Sequence, residues 1–386
     1  MLCLDPRRCP DGTYENNTGA STCTLCPPGY YCSAKLSTVT YFDCPQGYYC
    51  PIGTGLNWTA CPVGKYGSRS NLRSEDDCTG CDAGKFCSRT ALSAPNGNCS
   101  AGFFCPYGSQ NSWGGTVYTS NSTCTAGSYC PKGSSVPLQC PPGTYNPNRG
   151  STSLEQCLSC PPGRYCDRYN LTAPAGVCAT GYYCTRGAYT PRPVASSMGG
   201  GVCPTGRYCP QNSSVPLLCP AGTFNNMSQQ SVCFTCPPGF YCQTGTTQYS
   251  PWTCPKGYYC PSGTTYSTQY PCPTGTFNNL TQRVGANACI SAPGGYYASG
   301  TGNKLVTGQC STGYYCPSGA SSSTPFCSGS YCITGGACTK GQECPMGTAL
   351  PKLCRGGYYC PDSSGVVKGP CAAGYYCTQV SSLFLT

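Results

Sequence analysis

The sequence predicts an array of small disulfide-rich repeats, elongated and rod-like, built of short Gly-turn and β-hairpin units with little regular secondary structure and no helix. Two observations lead to this fold class. Of the 386 residues, 41 are Cys and none is His, and one cysteine motif recurs along nearly the whole chain. Thiols at this density stay paired only in an oxidising compartment. We therefore expect a secreted protein that is extracellular or held at the cell surface.

The chain offers little material for a hydrophobic core. It contains 51 Gly and 37 Pro, and aliphatic residues are sparse. No stretch shows the 3.6-residue apolar period of an amphipathic helix or the long alternation of a large sheet. Cross-links are therefore expected to replace the core, and units are expected to stack on their sequence neighbours as in other repeat proteins.

Fourteen short units share one pattern, which is Cys, two residues, Gly, any residue, a residue that is nearly always aromatic, and Cys. One example is Cys26-Pro-Pro-Gly-Tyr-Tyr-Cys32. Pro after Cys presets φ for a turn, and Gly adopts the positive φ that the turn requires. The units begin at Cys26, Cys44, Cys81, Cys99, Cys124, Cys160, Cys178, Cys203, Cys236, Cys254, Cys310, Cys338, Cys354 and Cys371.

Aromatic residues occupy the last position before the closing Cys in thirteen of these units, and Glu343 is the exception. Successive extended residues alternate faces, so we expect this position to point inward and the preceding one to face solvent or a partner. Rings at the outward position would serve lateral association or sugar stacking, or would cover neighbouring units. They are Tyr30, Tyr48, Phe103, Tyr182, Phe240, Tyr258, Tyr314, Tyr358 and Tyr375.

Five long-loop units begin with the same motif but lack the closing Cys and continue into a loop rich in Asn, Ser and Thr. They start at Cys9, Cys61, Cys140, Cys219 and Cys272, at spacings of 52, 79, 79 and 53 residues. The longer spacings exceed the shorter ones by the length of one extra short unit. We therefore divide the chain into superblocks 9–60, 61–139, 140–218 and 219–271, a degenerate segment 272–309 and irregular short units 310–377.

A defective unit favours one disulfide pattern. Ala292-Pro-Gly-Gly-Tyr-Tyr-Ala298 keeps the short motif but has Ala in place of both cysteines. If the two missing cysteines bonded to each other, their loss leaves no other cysteine unpaired. If they bonded to cysteines of other units, their loss would leave two cysteines unpaired. A one-to-three, two-to-four pattern competes, although blocks of six cysteines between long-loop units do not divide into such quartets.

Closure within each unit predicts twenty bonds and leaves Cys3 without a partner. Each short bridge contributes about 2 kcal/mol in the chain-entropy model. Predicted pairs in short units include Cys26 with Cys32, Cys44 with Cys50, Cys81 with Cys87, Cys160 with Cys166, Cys354 with Cys360 and the shortened Cys327 with Cys332. The long-loop pairs are Cys9 with Cys23, Cys61 with Cys78, Cys140 with Cys157, Cys219 with Cys233 and Cys272 with Cys289.

The segment Cys140-Pro-Pro-Gly-Thr-Tyr, its Ser/Thr-rich continuation and Cys157-Leu-Ser-Cys160-Pro-Pro-Gly resemble the ephrin-receptor-like cysteine-rich repeat of the growth-factor-receptor cysteine-rich superfamily. The resemblance extends from Cys9 to Cys377. The repeated motif is also similar to repeats of protist surface and flagellar-hair (mastigoneme-like) glycoproteins and of animal receptor ectodomains. The resemblance implies an extracellular, elongated, β-poor module without catalytic residues. Short units are denser here than in receptor ectodomains.

Eight Asn-X-Ser/Thr sequons predict N-linked glycans, which are the only non-protein groups that we expect. Most lie in loops between units rather than inside a Gly-turn motif, as surface-attached sugars should. Asn98 is followed by Cys99, whose bridge is expected to hinder the transferase. The sequons begin at Asn16, Asn57, Asn98, Asn121, Asn170, Asn212, Asn226 and Asn279.

Residues that carry catalysis or bind metals are sparse, so we expect no enzyme, no cofactor and no metal site. There is no His base, and the twelve carboxylates are mostly isolated. One cluster, Glu75-Asp76-Asp77 with Asp82, is better interpreted as a solvated acidic loop than as a calcium site. Four Cys-X-X-Cys pairs lie at one junction of the repeat and indicate a boundary between two bridges. They are Cys23/Cys26, Cys78/Cys81, Cys157/Cys160 and Cys233/Cys236.

The formal net charge of +10 is spread over single Lys and Arg residues. Nucleic acid is therefore not an expected partner, whereas an extracellular acidic polysaccharide remains an alternative. No segment reaches the roughly 18 apolar residues of a membrane span, and the first residues lack the features of a signal peptide. We expect the chain to belong to a longer exported precursor.

The expected function is that of a structural glycoprotein whose copies associate with one another into a filament, flagellar hair, coat or wall layer. A heterologous contact repeated along one axis would build such a filament. The alternative is a ligand-binding ectodomain or stalk of a membrane receptor. A filament protein should sediment as a polymer, whereas a receptor fragment should be monomeric.

Overall fold

The computed structural model describes residues 7–35, 37–116, 119, 122–326 and 335–377. Cys3, Asn121 and the predicted bond between Cys327 and Cys332 lie outside the described residues. Contacts divide the chain into two compact bodies, one formed by Met1–Cys178 and Cys184–Gly201 and the other by Ala179–Tyr183 and Val202–Thr386.

Short hairpins are the main regular structure of the described residues, which contain no α-helix. Four single-turn 3-10 segments were not expected, and they span Glu75–Asp77, Leu154–Gln156, Ser196–Met198 and Ala286–Ala288. The first two segments are stabilised at their N-termini by reciprocal capping boxes, which Ser74 forms with Asp77 and Ser153 forms with Gln156. The prediction of small disulfide-rich hairpin repeats is confirmed.

Each hairpin pairs the residues that follow one motif glycine with the residues before the opening Cys of the next unit. Sixteen such pairs form separate antiparallel two-stranded sheets in the described chain. Through residue 177 they join Thr13–Tyr14 with Thr24–Leu25, Tyr30–Ser33 with Ser37–Asp43, Tyr48–Tyr49 with Thr59–Ala60, Lys65–Tyr66 with Thr79–Gly80, Lys85–Phe86 with Gly97–Asn98, Ser128–Tyr129 with Leu138–Gln139, Thr144–Tyr145 with Leu158–Ser159, and Arg164–Tyr165 with Gly176–Val177.

The remaining hairpins follow the same rule. They join Tyr182–Cys184 with Gly200–Val202, Arg207–Tyr208 with Leu217–Leu218, Thr223–Phe224 with Phe234–Thr235, Thr276–Phe277 with Ile290–Ser291, Tyr296–Tyr297 with Gly308–Gln309, Tyr314–Tyr315 with Gly336–Ala337, Gln342–Glu343 with Lys352–Leu353, and Tyr358–Tyr359 with Gly369–Pro370. Three further units make a single bridge pair at the same place, namely Phe103 with Thr123, Phe240 with Thr253 and Tyr258 with Pro271.

Nineteen disulfides join the described cysteines, and every one closes within its own unit. All fourteen short units have this bond, as in Cys26–Cys32, whose Cα atoms are 5.8 Å apart. The five long-loop units close over 14 or 17 residues, with the predicted partners. The competing one-to-three, two-to-four pattern is therefore wrong for these cysteines.

The bridges lie at the centre of small apolar clusters. Most bridged cysteines are completely buried. Leu171 packs on the bridge between Cys160 and Cys166, with Tyr145 at the side. Phe224 does the same at the bridge between Cys236 and Cys242. A series of such clusters takes the place of a single hydrophobic core, as the composition predicted.

A pair of backbone hydrogen bonds joins each unit to the next. The amide of Gly29 donates to the carbonyl of Cys50 at 2.8 Å, and its carbonyl accepts from the amide of Cys44 at 3.0 Å. The same two bonds recur at nineteen motif glycines, from Gly12 to Gly357. We call this series the glycine ladder. It uses main-chain atoms alone, so it tolerates different side chains at the closing position.

The motif glycine also touches the unit after next. Gly102 has φ of +84°, and a Cβ on it would lie 2.7 Å from the carbonyl oxygen of Gly150. Gly150 in turn donates its amide to the carbonyl of Cys124 at 2.8 Å, in the unit between them. Glycine is required here both for the left-handed φ and for the close approach.

The degenerate unit keeps the ladder without a bridge. Ala292 and Ala298 are completely buried at the two cysteine positions. The amide of Ala292 donates to the carbonyl of Gly275, and the amide of Gly275 donates to the carbonyl of Ala298. The sulfur bridge and the ladder are therefore separable parts of the repeat.

We expect Gly102→Ala to destabilise its surroundings more than Gly357→Ala. Both glycines have a φ above +80°, so each substitution costs about 1–2 kcal/mol of backbone strain. Of the two, only Gly102 has a carbonyl with which the added Cβ collides, because none of the described residues lies within 4 Å of a Cβ at Gly357. Amide hydrogen exchange of the neighbouring cysteines measures the effect, and equal losses at the two sites would contradict the close-approach argument.

We also expect the double substitution Ala292→Cys with Ala298→Cys to form a new disulfide. The backbone around both residues already has the hydrogen bonds of a bridged unit. The bond should add about 2 kcal/mol to local stability, which hydrogen exchange reports. Mass spectrometry without reduction should find no new free thiol, whereas Ala292→Cys alone should give one. Two free thiols in the double variant would show that the unit has relaxed away from bridging geometry.

Candidate glycan and contact surface

Seven of the eight predicted sequon asparagines lie in the described chain, and all seven are exposed. They are Asn16, Asn57, Asn98, Asn170, Asn212, Asn226 and Asn279. An exposed side chain is a requirement for attaching a sugar to a folded surface. The positions are therefore compatible with glycosylation, which stays a prediction.

Three other asparagines are fully buried, and sequence reasoning missed their role. Asn146, Asn225 and Asn278 occupy the closing position of long-loop units, where short units have Cys. Each side-chain amide donates to a main-chain carbonyl of the preceding unit, at 3.0, 2.8 and 2.9 Å respectively. The signal was the recurrent Gly-Thr-aromatic-Asn sequence, in which Asn replaces the closing Cys and its side chain adds a hydrogen bond to the preceding unit.

Two of these buried residues directly precede a sequon asparagine. Asn225 and Asn278 are buried, whereas Asn226 and Asn279 are exposed. The buried residue begins no sequon, because residue 227 is Met and residue 280 is Leu. The long loop therefore places a structural and a modifiable asparagine side by side, with opposite exposure.

Asn170 and Asn212 have a conformational role besides the sequon. Their φ values are +62° and +69°, in the left-handed region that Asn tolerates better than most residues. The Oδ1 atom of Asn170 accepts a hydrogen bond from the Ser128 hydroxyl at 3.3 Å. A glycan is attached through Nδ2, so the two roles are compatible.

Asn98 lies in a more constrained setting than the other sequons. It pairs with Lys85 in a hairpin, and the next residue, Cys99, is bonded to Cys105. The backbone around the sequon is therefore held on both sides. The expected hindrance of the transferase at Asn98 remains a prediction.

The predicted alternation of aromatic residues is wrong. Tyr30, Tyr48, Phe103, Tyr182, Phe240, Tyr258, Tyr314 and Tyr358 are half-buried, as are the residues after them, and only Tyr375 is exposed. The physical reason is the turn two units later, which covers the first ring. The hydroxyl of Tyr182 accepts a hydrogen bond from the Gln229 amide at 2.9 Å, and the hydroxyl of Tyr258 lies over Gly302.

In two units the second ring covers a cross-strand glycine. Tyr165 pairs with Gly176, and a Cβ on this glycine would lie 3.0 Å from the ring. Tyr297 covers Gly308 in the same way. Glycine has no side chain to pack, so the aromatic ring supplies the missing apolar cover.

The acidic loop makes local contacts. Glu75 pairs with Lys65 at 3.1 Å. The Asp77 carboxylate accepts hydrogen bonds from the backbone amides of Arg73 and Ser74 at 2.7 and 3.0 Å, and these bonds lower the pKa of Asp77. In the described part of the chain no cluster of three or more His, Cys, Asp or Glu residues is placed to bind a metal ion.

The four Cys-X-X-Cys pairs join different bridges. Cys23 bonds to Cys9, whereas Cys26 bonds to Cys32, and the other three junctions repeat this arrangement. Each pair is therefore a boundary between consecutive units, as the sequence indicated.

No helix within the described residues is long and apolar enough to cross a membrane. No protein-family model matches the chain, and no curated protein is significantly similar to it. The resemblance to ephrin-receptor-like repeats therefore remains a prediction that rests on the motif residues.

We expect glycans on Asn226 and Asn279 and none on Asn225 and Asn278, because only the first two begin a sequon and have side chains that reach solvent. Enzymatic release of N-glycans converts the carrier Asn to Asp, so peptide mass spectrometry reads each position separately. Asn279→Gln should remove one glycan and leave the disulfide map unchanged. Release-dependent Asp at residue 225 or 278, with none at the neighbouring residue 226 or 279, would contradict the assignment of structural and modifiable asparagines.

Proposed function

We propose that the protein is a structural extracellular glycoprotein whose copies associate into a filament, flagellar hair, coat or wall layer. One observation carries the proposal. The same two hydrogen bonds join consecutive units at nineteen glycines, while a local disulfide closes nearly every unit. Such an array gains stability from neighbour contacts alone and needs no large core. Extensive disulfide bonding is also typical of proteins outside the cell.

Apolar side chains at the turn tips support association between copies. Ile52 and Met346 occupy the same position in the sequence Cys-Pro-X-Gly, and they are 64% and 66% exposed. An apolar side chain that recurs in solvent at one repeat position is of the kind that an interface buries. A contact repeated from copy to copy would extend along one axis.

Glycans would limit which surfaces can meet. The exposed sequons of the long loops, such as Asn16, Asn226 and Asn279, lie directly after the hairpin strands. Sugar attached there would shield the long loops, whereas the Cys-Pro-X-Gly turns that contain Ile52 and Met346 have no sequon of their own. We therefore place the contacts between copies at the turn tips rather than at the long loops.

Secreted, glycosylated protein should form polymers with a regular repeat, seen by sedimentation velocity and negative-stain electron microscopy. The double variant Ile52→Ser with Met346→Ser should assemble more weakly, and its critical concentration for assembly should rise at least tenfold. Lys132→Ser is the matched control, because Lys132 occupies the same repeat position but is already polar. A glycosylated chain that stays monomeric at every concentration would overturn the proposal and favour the receptor ectodomain.

A further inference from the structure

Two tyrosine rings lie stacked across one hairpin-like connection. The ring centroids of Tyr259 and Tyr270 are 5.6 Å apart, and their planes differ by 27°. The amide of Tyr259 donates to the carbonyl of Tyr270 at 3.0 Å, which fixes the two backbones. Both side chains are half-buried, so packing holds the rings while one side stays open to solvent.

This stacked pair joins two consecutive units. Tyr259 directly precedes Cys260, which bonds to Cys254, and Tyr270 lies just before Cys272, which bonds to Cys289. None of the described disulfides connects one unit to another. A bond between the two rings would therefore add a covalent link where the structure has only hydrogen bonds and the peptide chain.

We propose that Tyr259 and Tyr270 form an oxidative cross-linking site, at which a carbon–carbon bond joins the two phenol rings. The oxidant is hydrogen peroxide, used by a haem peroxidase outside the cell. This modification goes beyond the proposed structural function, because it concerns a single chain and does not require association between copies.

The chemistry balances with one peroxide. The peroxidase removes one electron and one proton from each phenol hydroxyl and reduces one hydrogen peroxide to two waters. The two phenoxyl radicals carry spin density on the ring carbons beside the oxygen, and two such carbons couple. Each ring then returns its hydrogen from that carbon to the oxygen, so both hydroxyls are restored. The net change is the loss of one ring hydrogen from each tyrosine.

Contact between the rings favours coupling within this pair over coupling with tyrosines that lie apart from it. Tyr41 also contacts Tyr30 and Tyr14, but those rings meet edge to face rather than stacked. Two phenoxyl radicals must meet before reductants in solution quench them. Two rings that are already in contact react in an effectively unimolecular step. The hydroxyl of Tyr270 also accepts a hydrogen bond from the Gln269 amide at 3.3 Å, which holds that phenol at the cross-strand position.

The chain contains a matched pair that cannot react in this way. Tyr31 and Phe42 have centroids 5.5 Å apart and planes 28° apart, in direct cross-strand register. Phe42 has no hydroxyl and forms no phenoxyl radical. The geometry of the pair Tyr31 and Phe42 is nearly identical to that of Tyr259 and Tyr270. The comparison therefore isolates the contribution of the second phenol.

The test treats the folded, deglycosylated protein with peroxidase and hydrogen peroxide at low protein concentration. Monomer is then reduced, alkylated and digested with trypsin. Residues 257–283 form one tryptic peptide, because Lys256 and Arg283 flank it. This peptide should lose two hydrogen atoms, show dityrosine fluorescence and resist fragmentation between residues 259 and 270.

Two substitutions within the same peptide discriminate the pair. Tyr270→Phe keeps the ring and should abolish the loss of two hydrogens. Tyr266→Phe removes an exposed tyrosine of the same peptide and should leave the cross-link yield unchanged. A disulfide map identical to that of the unmodified chain confirms that each variant has folded.

A gain of function completes the test. Phe42→Tyr should create a new link to Tyr31. Chains with and without this substitution are compared in a Tyr41→Phe background, because the Tyr41 ring lies 4.5 Å from Tyr30 and could form a link between the same two peptides. Lys35 separates residues 31 and 42, so two tryptic peptides become joined. Persistence of the link in Tyr270→Phe, or a folded wild-type chain that gives dityrosine elsewhere but none between residues 259 and 270, overturns the proposal.

Discussion

The structure depends on one main-chain interaction, in which a motif glycine donates to the closing residue of the next unit and accepts from its opening residue. Left-handed φ presents both groups of the glycine to the following unit, and the missing Cβ lets the second neighbour approach. Pro and Cys around it form the turn, but Gly275 shows that the same bonds form to a unit without sulfur. The disulfides therefore stabilise a connection that the backbone already specifies.

The closing position shows how the repeat tolerates change. Short units have Cys there, three long-loop units have a buried Asn, and the degenerate unit has Ala298. All of them offer a carbonyl to the ladder, and the Asn side chain adds a bond to the preceding unit. Where Asn replaces the closing Cys, the bridge partner lies 14 or 17 residues after the opening Cys instead of 6, which forms a long loop. In the units that begin at Cys219 and Cys272 this loop contains an exposed sequon.

The fold class and the cysteine pairs were predictable because the repeated spacing and the defective unit at residues 292–298 constrain them. The role of the buried asparagines was missed although Gly-Thr-aromatic-Asn recurs in three long-loop units, because Asn is ordinarily an exposed residue and the recurrence does not show that its side chain is buried. The aromatic alternation failed for a different reason. It assumed a strand with one free face, whereas the turn two units later, at Gln229 or Gly302, covers the ring expected to be outside.

A ladder made of glycine and main-chain atoms has a consequence for how the gene can change. An inserted or deleted short unit meets the same main-chain donors and acceptors on both sides, so the glycine ladder continues through it, while contacts with the unit after next, such as Gly102 with Gly150, pass to a different unit. The number of units can thus change one module at a time without interrupting the ladder.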